Sequence, residues 1–71
     1  MEEKVIKILR EVFEDENIDS TCSQLTYDKW DSMAQLNIVV ELESEFDIDL
    51  TPEEIASMKS VDDIMFILRK K

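Results

Sequence analysis

The sequence predicts an all-α fold, a small four-helix bundle with a long first loop and a short third helix. Apolar residues recur at three- and four-residue steps in separate segments, and helix-capping residues stand ahead of them. No segment alternates between apolar and polar residues for long enough to indicate a sheet. The chain has 71 residues, 44% of them hydrophobic, so residues 1–71 are expected to form a single domain.

The first predicted helix covers residues 3–14 and is followed by the long loop, residues 15–30. The loop has no apolar period and is rich in Asp, Asn, Ser and Thr. We expect Ile18, Leu25 and Tyr27 to attach it to the core. A loop of this length is unusual in so small a domain, and such loops often carry function. The apolar residues of the helix itself are Val5, Ile6, Ile8, Leu9, Val12 and Phe13.

The second predicted helix begins at Asp31 or Ser32 and continues to about Phe46. Either residue can cap its first turn, and Ser32 with Gln35 three positions later fits a capping box. Trp30, directly ahead of the helix, could anchor a partner protein, but we expect it to fill the core.

The third predicted helix, residues 52–58, has the clearest start signal in the chain. In Thr51-Pro52-Glu53-Glu54 the threonine caps, the proline takes the first helical position and the second glutamate closes a capping box. Ser60 then caps a fourth helix, residues 61–70. The inward side chains of this last helix are Val61, Ile64 and Leu68.

The composition excludes several classes of function. The net charge is −10, and histidine and glycine are absent. Ser-His-Asp and Cys-His pairs, histidine zinc sites and glycine-rich phosphate loops are therefore impossible within this chain. Residues 11–63 hold 16 acidic and two basic residues, a field that repels nucleic acid and attracts basic partners. We expect a cytoplasmic monomer without a membrane span.

The second helix carries more apolar surface than a core requires. At about 100° per residue, one arc (Ile38, Val39, Leu42 and Phe46) is enough to bury against the other helices. Met33, Leu36 and Val40 lie on a neighbouring arc, separated from the first by Glu43. An exposed apolar strip rimmed by acids is typical of a docking surface. The alternative is a broad core face that the long loop covers.

Two other features have ordinary interpretations. The acidic stretches that begin at Asp15 and Asp47 resemble calcium-loop openings, but Ser20 and Thr26 replace the glycine and glutamate that the first loop needs. We expect solvated loop acids and no metal site. No basic residue lies near Cys22 in sequence to activate its thiol, so we expect it to be inert and partly buried.

The segment Trp30-Asp31-Ser32-Met33, with the apolar spacing that follows to Phe46, resembles the attachment region of acyl carrier proteins. The mark of that family is Asp-Ser-Leu or Asp-Ser-Met at the start of the second helix. The resemblance extends loosely over all 71 residues, as one acyl-carrier-like domain, and is most specific in residues 30–50.

The resemblance implies a carrier and not an enzyme. It implies that Ser32 is joined to 4′-phosphopantetheine, taken from coenzyme A by a phosphopantetheinyl transferase, and that Asp31 helps this transferase to engage. The arm would hold acyl or aminoacyl groups as thioesters. Enzymes that load and transfer these groups would then bind Asp31, the strip of Met33, Leu36 and Val40, and Glu43.

Departures from the pattern favour a specialised pathway. Carriers of bulk fatty-acid synthesis usually have a glycine near the position of Lys29 and further acids on the second helix, where this chain has Ala34, Asn37 and Ser44. A tryptophan at the position of Trp30 is more similar to the pattern of carriers that serve specialised lipids, polyketides or aminoacyl transfer. The competing hypothesis is an unmodified acidic helical module that binds a basic partner, with Ser32 serving only as a helix cap.

Overall fold

The order of elements is four helices joined by one long and two short connections. The computed structural model describes residues 2–71, with α1 (Glu2–Phe13), α2 (Ser32–Phe46), α3 (Pro52–Ser57) and α4 (Val61–Lys70). These bounds confirm the predicted all-α fold to within one residue at each helix end. Within the described range the only β-type pairing is an isolated bridge between Ser23 and Ser60. No helix of residues 2–71 is long and apolar enough to span a membrane.

The core is built mainly by α1, α2 and α4, each of which buries one apolar face. Helix α3 has no buried residue of its own; Leu50 ahead of it and Met58 after it enter the core instead. The side chains with the least exposure are Val5, Leu9, Ile38, Leu42, Met58, Val61 and Ile64.

The predicted caps of the last two helices are present. The Thr51 hydroxyl accepts a hydrogen bond from the Glu54 amide (3.1 Å), and the Glu54 carboxylate accepts one from the Thr51 amide (3.0 Å). Ser60 caps α4 by accepting a hydrogen bond from the Asp63 amide (3.0 Å). The first-turn donors of both helices are therefore partly satisfied by side chains.

Helices α1 and α2 end in left-handed residues although the chain has no glycine. Glu14 (φ 53°) follows α1, and Asp47 (φ 52°) follows α2. In each case the amide of the next residue donates a hydrogen bond to the carbonyl five residues earlier: Asp15 to Arg10, and Ile48 to Glu43. Both ends have this feature of a Schellman cap, which satisfies a terminal carbonyl.

The long loop packs on the start of α4, but not through all the residues predicted. Ile18 is buried and Tyr27 is partly buried, as expected, whereas the prediction for Leu25 is wrong because its side chain is 96% exposed. The Tyr27 amide bonds to the Ser23 carbonyl (2.9 Å), and the turn so closed directs Leu25 outward. The Val61 amide bonds to the Cys22 carbonyl (3.0 Å), which ties the loop to α4.

Candidate functional site

The start of α2 is capped by Asp31 and not by Ser32. Asp31 Oδ1 accepts a hydrogen bond from the Ala34 amide at 2.9 Å, and the Asp31 backbone is extended. Ser32 is the first helical residue. The predicted capping box of Ser32 and Gln35 is therefore wrong: Asp31 occupies the cap position, and the Gln35 amide that Ser32 would bond donates instead to the Asp31 carbonyl (2.9 Å).

The Ser32 side chain is exposed at this helix end. Among residues 2–71, no hydrogen bond engages its hydroxyl. Asp31 is exposed beside it. The two residues that the sequence singled out are thus neighbours on an accessible surface, with the serine oxygen available to another molecule.

The electrostatics at Ser32 suit a phosphate group. The first turn of an α-helix has amide groups without partners in the helix and the positive end of the helix dipole. The first turn of α2 contains no acidic residue, and its N-cap is Asp31. A phosphodiester on the Ser32 oxygen would lie at a helix end of the kind that binds phosphate in other folds.

An exposed apolar strip follows Ser32 along α2. Met33, Leu36 and Val40 are 72%, 60% and 61% exposed, while Ile38 and Leu42 on the other arc are buried. The exposure predicted from the residue spacing is confirmed, and the alternative, in which the long loop covers this face, is wrong. The use of the strip by a partner stays a prediction.

Glu43 is half-buried and has a structural contact that the sequence did not indicate. Its Oε2 accepts a hydrogen bond from the Leu50 amide at 2.9 Å. Glu43 therefore holds the segment between α2 and α3 against α2.

Gln35 joins three parts of the site, whereas the sequence assigned it only to a capping box with Ser32. Its Oε1 accepts a hydrogen bond from Trp30 Nε1 (2.6 Å), and its Nε2 donates to the carbonyls of Ile55 (2.8 Å) and Met58 (3.0 Å). Trp30 is 4% exposed and lies against Phe13, with ring centroids 5.9 Å apart, as expected for a core residue. The only signal in the sequence was a polar residue near the buried arc of α2.

The acids of the long loop bond within the loop. Asp15 accepts hydrogen bonds from the Asn17 amide and the Tyr27 hydroxyl, and these lower its pKa. The hydroxyl and amide of Thr21 lower the pKa of Asp19 in the same way. Among residues 2–71 no group of three or more metal-ligating side chains is present.

Cys22, which belongs to this loop, is buried. Burial raises the pKa of its thiol, and the nearby Asp19 and Asp15 raise it further. Since the thiolate is the reactive form, this environment leaves the group less reactive than a free cysteine.

No model of a known protein family matches the chain, and no curated protein matches it in sequence. Among solved structures, the solution NMR structure of a holo acyl carrier protein from Geobacter metallireducens matches with a TM-score of 0.86 at 30% identity. The match covers 99% of this chain and 83% of that one. Fold, length and sequence agree with the resemblance seen around Ser32, and the chain belongs to the acyl carrier protein family, as a carrier and not a catalyst.

Proposed function

We propose that Ser32 carries 4′-phosphopantetheine and that the chain presents acyl or aminoacyl groups on this arm to partner enzymes. The observation that carries the proposal is the exposed Ser32 hydroxyl at the first residue of α2, beside the capping Asp31, in a chain of the acyl carrier fold. The arm supplies a terminal thiol that holds the acyl group as a thioester.

The roles of the two residues in modification follow from their positions. The Ser32 oxygen forms a bond to the phosphorus of the phosphopantetheine phosphate, and the bond from this phosphorus to the adenosine bisphosphate part of coenzyme A breaks. The serine proton goes to a base of the transferase, since this chain has no histidine and the Asp31 carboxylate beside Ser32 is engaged in capping the helix. Asp31 orients the helix start and presents a carboxylate to the transferase.

The decisive experiment is the intact mass of the chain after incubation with coenzyme A, Mg²⁺ and a phosphopantetheinyl transferase of broad specificity. The native chain should gain the mass of one phosphopantetheine, and Ser32→Ala should gain none. Ser44→Ala is the matched control because Ser44 is an exposed serine on the same helix, and this variant should be modified like the native chain. Modification of Ser32→Ala would refute the assignment. No gain in a folded native chain would favour the unmodified docking module.

We further propose that α2 docks partners of a specialised lipid, polyketide or aminoacyl pathway. Support comes from the exposed strip of Met33, Leu36 and Val40, with Glu43 at its C-terminal end. The face carries few acids near its start, because Ala34 is buried and Asn37 is uncharged. A partner whose basic residues pair with acids on the second helix would form fewer ion pairs with this face.

A charge-addition experiment tests the pathway proposal. A malonyl transferase of bulk fatty-acid synthesis should load the holo chain slowly, and the double variant Asn37→Glu, Ser44→Glu should be loaded faster because both positions are exposed. The control is Asn37→Gln, Ser44→Thr, which adds no charge. Rapid loading of the unaltered chain would contradict the specialised role.

A further inference from the structure

The Gln35 amide connects the segment that leads into Ser32 with the far end of α3. Each of its three hydrogen-bond partners lies outside α2: the Trp30 indole ahead of it, and the carbonyls of Ile55 and Met58 beyond it. These carbonyls are 20 and 23 residues away in the chain. The side chain is thus a tertiary contact and not a local cap.

The chemistry of the amide fixes its orientation. A carbonyl oxygen only accepts hydrogen bonds, so the two carbonyls at the end of α3 can pair only with the NH₂ end of Gln35. The amide oxygen must then face the opposite way, where the Trp30 indole N–H, which only donates, meets it at 2.6 Å. Helix α3 therefore sets the direction in which Gln35 holds Trp30.

Trp30 links the Gln35 contacts to the proposed modification site, because it directly precedes Asp31 and Ser32. Its ring is buried against Phe13, and its indole N–H is held by Gln35. The capping residue Asp31 follows it directly, and Ser32 comes next. Ser32 itself makes no hydrogen bond through its hydroxyl to any of residues 2–71, so no side-chain contact of its own fixes the serine at the start of α2.

We propose that Gln35 is a positioning residue for the modification of Ser32, acting through Trp30 and oriented by the carbonyls of Ile55 and Met58. The inference rests on the proposed function of Ser32. The apolar strip on the outer face of α2 is not altered by Gln35, so loss of the amide should lower kcat of the transferase reaction and leave KM nearly unchanged.

A double-mutant cycle tests the proposal. Gln35→Leu removes both ends of the amide, and Trp30→Phe removes the indole N–H while keeping an aromatic ring in the core. Each variant should lower kcat by about fivefold, the size expected for one neutral hydrogen bond. The double variant should lose no more than either single variant, because both remove the same contact. Gln24→Leu, the same substitution at the other glutamine, is the control and should retain the native kcat.

Two readouts separate positioning from a general loss of stability. Circular dichroism gives the folded fraction of each variant, and rates are compared at a temperature where all are folded. In NMR spectra the Trp30 indole proton should exchange slowly in the native chain and at least several-fold faster in Gln35→Leu. A native kcat in folded Gln35→Leu, or losses that multiply in the double variant, would overturn the positioning role alone. Failure of the native chain to be modified would overturn the proposed function as well.

Discussion

The cap of α2 offers a sharp test because the two adjacent residues should respond differently to the same change. Asp31→Ala removes the 2.9 Å hydrogen bond to the Ala34 amide. Loss of an N-cap costs about 1 kcal/mol of unfolding free energy, within a range of about 0.5–2 kcal/mol. Ser32→Ala removes an exposed hydroxyl that makes no hydrogen bond within residues 2–71, so its effect should stay within about 0.5 kcal/mol.

The assay is thermal unfolding followed by circular dichroism, on protein that mass spectrometry shows to be unmodified. For a domain of this size 1 kcal/mol lowers Tm by about 4–8 °C, so Asp31→Ala should melt visibly earlier and Ser32→Ala almost with the native chain. Asp31→Asn is the control because its side-chain oxygen can still accept the Ala34 hydrogen bond.

Equal losses of Tm in Asp31→Ala and Ser32→Ala would refute this account of the cap. The expected difference also has a practical value. Since Ser32 does not cap the helix, its replacement should remove the proposed modification site without weakening the fold, and a loss of carrier function in Ser32→Ala would then report on chemistry alone.

Three further outcomes are expected. The hydrogen bond from Lys71 is the main cause that lowers the pKa of Glu54, so this contact stabilises the fold above the ordinary value of 4.5 and is lost as the pH falls through the lowered pKa. Glu54→Gln should therefore have a lower urea midpoint than the native chain at pH 7, and the difference should shrink as the pH falls through the lowered pKa; a difference of constant size over this range would point to packing instead. Leu25→Ser should leave the urea midpoint unchanged, whereas Ile18→Ala should cost about 2–5 kcal/mol because Ile18 is buried; equal effects would contradict the observed loop path. Moderate NaCl should raise Tm by screening the repulsion within the net charge of −10, and a Tm that is independent of salt would remove repulsion as a destabilising factor.

The helices could be predicted from the sequence because their signals are local. The apolar period and the Thr51 and Ser60 caps each depend on residues within one or two turns, and the bounds of all four helices followed from them. The exposed strip on α2 followed from the same period. In the site, Ser32 and Asp31 were identified as neighbours, but which of them caps the helix depends on one residue of register.

The loop and the Gln35 contacts could not be predicted because they depend on long-range pairing. The direction of Leu25 is set by a turn whose amides bond within the loop, while the loop as a whole is held by α4 through the Cys22 carbonyl. Gln35 bonds to carbonyls 20 and 23 residues away in the chain, and the apolar periodicity of the sequence does not indicate contacts at such distances.

The left-handed ends of α1 and α2 bear on how the unfolded chain behaves. Glu14 and Asp47 hold a backbone conformation that is unfavourable for residues with a β-carbon, and a glycine there would relieve it in the folded state. A glycine would also add freedom to the unfolded chain, which the present sequence restricts by having none. The two effects on the free energy of unfolding oppose each other. Without glycine the chain loses less entropy on folding, but the folded state keeps the backbone strain at Glu14 and Asp47. The stability of the folded chain can therefore be adjusted by single substitutions at these two helix ends.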